Sequence, residues 1–545
     1  MGSQYTVQAE AKRLLERLLN DPKLYVNPDV KTAAERVEFT GYPNPWLPVP
    51  VKFSESISAI SAFVGARAAA VAVDRYGIKQ DIRVNTDHAS VFLFGFFLPN
   101  IDGKGVTAAS KAIADNIAEA DKNDLFKPIH RASTNQYMTK DGRYYHTHGN
   151  MNAKILMKMF DIPEQDVTIE EARKIYADKV AQYDAQELDH LENEIHHQSG
   201  TICYTPEEFF NTEHGKIAAQ EPIANIEELP APQKSWPNPT HDSEFRPLDG
   251  IRVVDLSRAV AAPTVSKILA ALGADVIKVS CPSLPDTGIA LVDVNAGKRD
   301  VSIDLKTEEG KALFRTIIGD ADVLVDGYRP HAIEKLGFDS KSLRDLNPSL
   351  IYVREDCYGY NGPWAHRSGW QQIADCAVGI AMMTGQFLDL NEPIQPLLPN
   401  ADYQTGVLGS GLVIQALMKR TKAPVTFNID LSLCHYNIWL YRARPYTSEQ
   451  QAAIRGLHPN FKPRHTTDLP EIAGMLMESL KTACPGLFEN PDFYEQISGK
   501  EWGDSRSINV IGAPFKLTKS TVGFLVPSGR RGWSNDNPTW ITTVV

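Results

Sequence analysis

The chain has 545 residues, of which 43% are hydrophobic and 23% are charged. This composition is typical of a globular protein and excludes a disordered chain, a collagen-like fibre and a coiled coil. At roughly 150 residues per domain, the length favours three or four domains. The 56 Lys and Arg residues and 67 Asp and Glu residues leave a net charge of -11. General nucleic-acid binding is therefore not expected, although a local basic cluster can still hold a polyanion.

The N-terminus and the cysteines point to the cellular compartment. Residues 1–22 have an amphipathic helical pattern without the apolar core of a signal peptide. From the sequence, we expect no segment with the roughly 18 apolar residues that a membrane helix needs. The six cysteines are far apart and none has CxxC spacing, which favours reduced thiols over disulfides or a zinc site. We expect a cytoplasmic protein that has neither a membrane nor a nucleic acid as its partner.

A proline-rich segment divides the chain. Residues 227–247 combine five prolines with polar residues, which predicts a Pro-rich linker that acts as a spacer. It separates a first part, residues 1–226, from a second part that begins at residue 248.

The second part opens with strands that alternate with single helices. Short apolar runs predict strands at 251–256, 274–279, 323–325 and 350–353. Pro263 suits the first turn of a helix, and Thr307 can cap another helix that has Glu308 and Glu309 in its first turn. Strands alternating with helices indicate a parallel sheet covered on both faces, so we predict a doubly wound α/β domain over 248–410.

An internal repeat is visible. Residues 420–440 resemble residues 75–94, with Phe427 and Ile429 matching Ile82 and Val84. Each copy follows a helix rich in small residues, which favours a common origin over coincidence.

Motif searches remove several classes of function. GxGxxG, GxxxxGK[ST], GxSxG and HExxH are all missing, so the usual nucleotide-binding, hydrolase and zincin interpretations lose their main support. His146 and His148 could supply two metal ligands, but without a third ligand nearby an ordinary pair of strand histidines is favoured, and no metal is expected.

Several segments of the second part occur in the order of one known family. They are LDGIRVVDLSRAVAAPTVSKILAALGADVIKV at 248–279, ADVLVDGYRPHAIEKLGF at 321–338, ADYQTG at 401–406 and IGAPFKL at 511–517. Together they resemble the family III CoA-transferases, the CaiB/BaiF family. The resemblance implies a Rossmann-like doubly wound parallel sheet domain plus a smaller α/β domain, and dimers of interlocked rings. It also implies coenzyme A thioesters and carboxylic acids as substrates, with no tightly bound cofactor.

The first part resembles the second half of the same family, including its small domain. The chain therefore resembles a fused, partly degenerate tandem copy. We predict that 90–225 forms a small α/β domain near the site. We further predict that 248–440 holds the catalytic aspartate and that 441–545 is a shortened C-terminal return segment. A homodimer is expected from the resemblance.

The resemblance assigns the family's nucleophile to Asp402. A carboxylate suits CoA transfer because it can attack the acyl-CoA thioester, form a mixed anhydride and then carry CoA as an aspartyl thioester. The competing interpretation is that Asp402 caps a helix, a position that aspartate favours.

The resemblance also assigns contacts with CoA. They fall on Arg258, Ala259, Lys278, Lys306, Tyr328, Arg329 and Lys335, with Lys298 and Arg299 nearby. Cations gathered at strand ends can hold phosphates despite the negative net charge, and ordinary solvated surface charges are the alternative.

Some positions depart from the family pattern. Ser280 stands where the family usually has Glu, Val260 stands where formyl-CoA transferases have Gln, and the glycine-rich loop that covers the transferase site is not evident. Trp370 and Gln371 replace the catalytic His-Asp pair of the racemases, and we expect them to shape the pocket around Asp402. Two alternatives stay open: an isomerase, racemase or lyase that uses Asp402 as a base, and a catalytically retired binding scaffold.

Overall fold

A computed structural model describes residues 5–106, 111–240, 244–503, 505–529 and 538–541. The amphipathic pattern near the N-terminus forms the first helix, as predicted. The elements of the first part are α1 (Val7–Leu19), α2 (Pro28–Ala34), β1 (Val37–Thr40), α3 (Phe53–Tyr76), β2 (Ile82–Asn85), α4 (Thr86–Phe92), β3 (Asn100–Ile101), β4 (Lys104–Gly105), α5 (Lys111–Asp121), α6 (Pro128–Arg131), β5 (Asn135–Met138), β6 (Tyr144–Thr147), α7 (Lys154–Met159), α8 (Ile169–Val180), α9 (Ala185–His190), β7 (Thr201–Ile202), α10 (Pro206–Asn211), α11 (Glu213–Ala218) and β8 (Ala224–Pro230).

The second part alternates strands and helices as its sequence predicts. Its elements are β9 (Arg252–Leu256), α12 (Ala261–Ala271), β10 (Asp275–Ser280), α13 (Gly288–Val294), β11 (Arg299–Ser302), α14 (Glu308–Gly319), β12 (Val323–Asp326), α15 (Ser340–Leu346), β13 (Ile351–Asp356), α16 (Gln371–Val378), α17 (Ile380–Phe387), α18 (Asn400–Lys422), β14 (Val425–Ser432), α19 (Leu433–Arg442), α20 (Ser448–Leu457), α21 (Leu469–Ala483), β15 (Tyr494–Ser498), β16 (Ser507–Ile511) and β17 (Lys516–Leu517).

Seven strands form the central sheet in the order β11-β10-β9-β12-β13-β14-β8. The first six are parallel to one another, and β8 joins the edge antiparallel to β14. Numbered along the chain from β9, the parallel strands lie in the order 3-2-1-4-5-6, which is the doubly wound arrangement. The predicted fold class is confirmed. In such sheets ligands bind beyond the carboxyl ends of the strands, near the point between β9 and β12 where the strand order reverses.

The proline-rich segment 227–247 is not a free spacer, and that prediction is corrected. Its first residues belong to β8, whose backbone pairs with β14. Further along, Lys234 forms an ion pair with Asp322, and Trp236 donates a hydrogen bond to Asp74. Proline lacks a backbone N–H, so it is tolerated at a sheet edge, and composition alone does not separate an edge strand from a linker.

One helix is long and apolar enough to cross a membrane by length and composition, contrary to the expectation from the sequence. It is α3, and 94% of its most apolar window is buried inside the protein. It packs against α1 and α18, so its apolar residues form part of the main core.

In the described part of the chain there are three smaller sheets, two of which connect distant segments. The order β5-β6-β7 lies within the first part, whereas β1-β2-β17 and β15-β16-β3-β4 combine strands of the first part with strands after residue 490. The two copies of the internal repeat both form a helix, a strand and a helix, namely α3-β2-α4 and α18-β14-α19. The division of the chain into domains stays a prediction.

Candidate active site

Asp402 is the third residue of α18, and its side chain is only partly exposed. The residue that precedes this helix is Pro399, and no side chain caps it. Asp402 is therefore not the helix cap that the alternative interpretation proposed. Its side chain lines two adjoining cavities, which we name the apolar chamber and the narrow chamber.

The apolar chamber has a volume of about 550 Å³. Segments that are distant in the sequence form its wall. They are the loops around β3 and α6, the segment between α17 and α18, and α21. Its hydrophobic residues include Phe96, Phe97, Leu125, Ile289, Leu398 and Leu469.

The narrow chamber, of about 110 Å³, shares Asp402 with the apolar chamber, and charged residues form part of its wall. It is formed at the carboxyl ends of β9, β12 and β13, where a doubly wound sheet binds its ligand. Polar and charged residues on its wall include Asn150, Arg258, Tyr328, Arg329, Glu355 and Arg367. Asp402 therefore lines both a chamber suited to an apolar group and a chamber in which guanidinium groups can meet an anionic one.

Several carboxyl groups near Asp402 have raised pKa values. Burial raises the pKa of Asp402 to about 8, and the charge of Asp375 adds to the effect. Burial and then the charge of Asp402 raise the pKa of Glu355 well above its usual range. Burial raises the pKa of Asp356 to about 8 and that of Asp375 to about 7. Groups that are perturbed in this way and line a cleft are candidates for a functional site.

Trp370 and Gln371 both line the apolar chamber. Trp370 lines both chambers, donates a hydrogen bond from Nε1 to Asn150 Oδ1 at 2.7 Å and stacks on His148 with 5.2 Å between ring centroids. Gln371 donates from Nε2 to Leu398 O at 2.7 Å, and its buried Oε1 has no hydrogen-bond partner within the described part of the chain. That oxygen can accept a hydrogen bond from a bound ligand.

Some of the predicted CoA contacts are available to a ligand. Arg258, Ala259, Tyr328 and Arg329 line the narrow chamber, and the Arg258 guanidinium lies 4.9 Å from the centre of the Tyr328 ring. Lys306 is exposed and lines, with Tyr328 and Ser280, a groove of about 70 Å³ at the ends of β10 and β12. Lys335 is exposed on the turn beside this groove.

Other predicted phosphate contacts are not available, which corrects the prediction for these residues. Lys278 and Lys298 are buried and both pair with Asp255, the latter at 2.7 Å. Arg299 binds Asp275 at 2.8 Å. A buried aspartate needs nearby cations to remain charged, so these two lysines neutralise Asp255 inside the sheet instead of facing a ligand.

Sequence reasoning missed Glu355, Asn150 and His148. Glu355 and Asp356 end β13. Two acidic residues at the end of a buried parallel strand indicate a ligand site, and this signal was not used in predicting the site from the sequence. His148 was considered only as a metal ligand, whereas it lines the apolar chamber and stacks on Trp370. Burial holds its pKa well below the usual range, so it is neutral. In the described residues, no group of three or more His, Cys, Asp or Glu side chains is arranged to hold a metal ion.

Comparison with known proteins agrees with this geometry. The model of CoA-transferase family III matches residues 248–467. Acetyl-coenzyme A transferase nodX of Hypoxylon pulicicidum is 38% identical over 456 residues, which cover 80% of this chain and 77% of that protein. The chain belongs to CoA-transferase family III. It is an enzyme of the transferase class, and the family implies CoA thioesters as substrates.

Other members of CoA-transferase family III match shorter stretches. The succinate–glutarate CoA-transferase of Agrobacterium fabrum is 32% identical over 239 residues, or 40% of this chain and 59% of that protein. A crystal structure of a CAIB/BAIF family protein from Brucella suis is 31% identical, with a TM-score of 0.32, and covers 37% of this chain and 57% of that chain.

Proposed function

We propose that the protein moves CoA between two carboxylic acids through an intermediate on Asp402. The observation that carries the proposal is that Asp402 lines both the apolar chamber and the narrow chamber. A thioester whose carbonyl carbon lies at Asp402 has its acyl group in the apolar chamber and its CoA moiety towards Arg258 and Arg329. Guanidinium groups suit the phosphates of CoA.

The reaction proceeds in balanced steps. The Asp402 carboxylate attacks the thioester carbonyl and the C–S bond breaks. The donor acyl group and Asp402 then form a mixed anhydride, and CoA leaves as the thiolate. The thiolate attacks the aspartyl carbonyl, which releases the donor acid as its carboxylate and leaves an aspartyl thioester. The acceptor carboxylate attacks this thioester and displaces the thiolate again. The thiolate then attacks the acceptor's carbonyl, so that the new acyl-CoA forms and the carboxylate of Asp402 is restored.

Ionisation of Asp402 is part of this mechanism. With a pKa of about 8, most of the group is protonated at pH 7 in the free protein. Burial is the main cause of the raised pKa and the charge of Asp375 adds to it, so a substrate that brings a positive dipole to Asp402 increases the carboxylate fraction.

Trapping the intermediate tests the proposal. Incubation of the protein with an acyl-CoA and hydroxylamine is expected to convert Asp402 into its hydroxamate, detected by peptide mass spectrometry. Asp402→Asn keeps the shape of the side chain but removes the nucleophile, so we expect transfer to fall by several orders of magnitude and the label to disappear. Asp345→Asn, an exposed substitution on α15, is the matched control and is expected to keep both. Full transfer by the Asp402→Asn variant contradicts the proposal.

An isomerase is the second candidate, and one observation favours it. A general base works best with a pKa near the working pH, and the pKa of Asp402 lies at about 8 with the carboxyl of Glu355 beside it. Such an enzyme exchanges the α-proton of an acyl-CoA with deuterium from the solvent and forms no hydroxamate. Label without exchange supports the transferase, and exchange without label supports the isomerase.

We also propose a homodimer and a cytoplasmic location, with acyl-CoA and carboxylic acids as partners and neither nucleic acid nor membrane. Family resemblance supports the dimer, and the reduced cysteines support the location. Light scattering is expected to give twice the chain mass of 60.4 kDa. A particle of one chain mass over a wide concentration range contradicts the dimer, and recovery with membranes after cell fractionation contradicts the location.

A further inference from the structure

The apolar chamber is wide and hydrophobic, which bears on the acids that the enzyme accepts. Its volume of about 550 Å³ is in the range of pockets that enclose whole small molecules. A short acyl group such as acetyl leaves most of this space unfilled. Each methylene that enters such a wall is transferred from water to apolar surroundings, which favours a longer acid.

The charged groups on the chamber wall already have partners. Arg131 binds Asp468 at 2.5 Å and 2.8 Å and Glu471 at 3.2 Å. His130 contacts Glu164 through Nε2 at 2.6 Å and the backbone oxygen of Asn123 through Nδ1 at 2.9 Å.

His148 offers no positive charge either, because burial keeps it neutral. Within the described residues that line the apolar chamber, no cation is left to receive a second carboxylate. A carboxylate that enters such a space loses its hydration without gaining a partner.

We propose that the apolar chamber selects monocarboxylic acids with a long or bulky apolar body and rejects both short acids and dicarboxylic acids. This inference rests on the proposed CoA transfer, since it names the acids that exchange at Asp402. The donor acid and the acceptor acid occupy the same chamber in turn, so the selection applies to both.

A series of CoA esters tests the selection. With acetyl-, butyryl-, hexanoyl-, octanoyl- and decanoyl-CoA as donors, kcat/KM is expected to rise by about fourfold per methylene until the chamber is full. Hexanoyl-CoA is expected to exceed glutaryl-CoA, a donor of similar length with a second carboxylate, by roughly 100-fold or more. A flat series, or equal rates with hexanoyl- and glutaryl-CoA, overturns the proposal.

A variant on α21 shows where the selection arises. Ala473 lines the apolar chamber, so Ala473→Trp fills it from the wall formed by this helix. The variant is expected to lose octanoyl- and decanoyl-CoA turnover by a factor at least about ten times larger than its loss of acetyl-CoA turnover. Glu478→Trp, at an exposed position of the same helix, is the control and is expected to leave the chain-length profile unchanged. An unchanged profile in Ala473→Trp overturns the assignment of the chamber.

Binding of the free acids separates a failure of this inference from a failure of the proposed function. Calorimetry with decanoate and with glutarate measures binding of these acids to the protein without any turnover. Binding of decanoate but not of glutarate, lost in Ala473→Trp, supports the inference even if no CoA ester reacts. Turnover of acetyl-CoA without any binding of decanoate overturns it while the transferase stands.

Discussion

The carboxyl group of Asp402 is held in a protein environment that disfavours its charge. Its pKa rises from 3.8 to about 8 through burial and the charge of Asp375. Because the nucleophile is the carboxylate, we expect kcat/KM to increase about tenfold per pH unit below pH 8 and to level off above it. A pH profile of kcat/KM measured from pH 5.5 to 9.5 checks this. A rate that is already constant from pH 5.5 to 7 contradicts it.

The same shift affects stability with a defined sign. The folded protein binds the proton of Asp402 more tightly than the unfolded chain, so this group stabilises the fold most at low pH. That contribution decreases as the pH rises from about 4 towards 8. Asp402→Asn removes the free-energy cost of holding a charged carboxylate at this position in the folded protein. Its free energy of unfolding relative to the parent is expected to increase over this interval by about 1–3 kcal/mol, since the side chain is partly exposed.

Urea unfolding at pH 4, 6 and 8 measures that difference. The exposed substitution Asp345→Asn is the control, and its difference from the parent is expected to stay within about 0.5 kcal/mol at each pH. A difference for Asp402→Asn that shrinks as the pH rises contradicts the expected sign.

At the scale of elements, close contact between α12 and α18 positions Asp402. Gly406 lies one helical turn after Asp402, and a Cβ atom at this position would lie 2.5 Å from Ala261 O and 2.5 Å from Thr264 Cβ. Gly406→Ala therefore forces the two helices apart. We expect a loss of about 1–3 kcal/mol in the free energy of unfolding, together with a lower kcat because the nucleophile moves.

A second glycine provides the matched control. Gly319 ends α14, and no heavy atom lies within 4 Å of a Cβ built there. Gly319→Ala is expected to keep kcat and to leave stability unchanged or higher by up to about 1 kcal/mol, because alanine restricts the unfolded chain. Equal effects of the two substitutions contradict the role of the α12–α18 contact.

Ion pairs of a buried carboxylate connect the first turn of α21 to the first part of the chain. Asp468 caps this helix and accepts hydrogen bonds from Arg131 and Arg173, the latter at 3.0 Å. Asp468→Asn removes the negative charge from both contacts, while Glu471 still pairs with Arg131 and Arg173, so we expect the free energy of unfolding to fall by about 1–3 kcal/mol. Thermal and urea unfolding check this, with Glu478→Gln, at an exposed position of α21, expected to change stability by less than about 0.5 kcal/mol. A loss in the free energy of unfolding no larger than in this control contradicts the stabilising role of Asp468.

The predictions made from the sequence were strongest where the pattern is local. The strands β9, β10, β12 and β13 follow from apolar runs bounded by turns, and Thr307 caps α14 as predicted. What the sequence did not predict depends on contacts between distant residues. Lys278 and Lys298 point inward because they pair with Asp255. β8 joins the sheet by pairing with residues about 200 positions later in the chain. Neither contact has a signal in the local sequence.

The candidate site shows the same limit at the scale of the molecule. Family resemblance assigned Asp402, Trp370 and Arg329, and the structure brings these residues to adjoining cavities. The wall from α21 was missed because residue 469 approaches Asp402 only through the fold, whereas Glu355 had a local signal in the two acidic residues that end β13. The volume and apolar character of a chamber are properties of packing, and no motif encodes them.

At the scale of the whole molecule, distant parts of one chain meet at the apolar chamber. It is lined by residues of the first part such as Phe97, by Asp402 and by Ala473. We therefore expect that in the proposed homodimer Asp402 and Ala473 of each site come from the same chain.

Subunit complementation tests this arrangement. Asp402→Asn lacks the nucleophile, and Ala473→Trp blocks the chamber for decanoyl-CoA. If residues 402 and 473 of one site came from different chains, one of the two sites in a mixed dimer would be intact, and the purified mixed dimer would have about half of the parent activity. With both residues in the same chain, every site in the mixed dimer has one defect. We therefore expect the two variants, co-expressed and purified through different tags, to show no activity towards decanoyl-CoA beyond that of each variant alone.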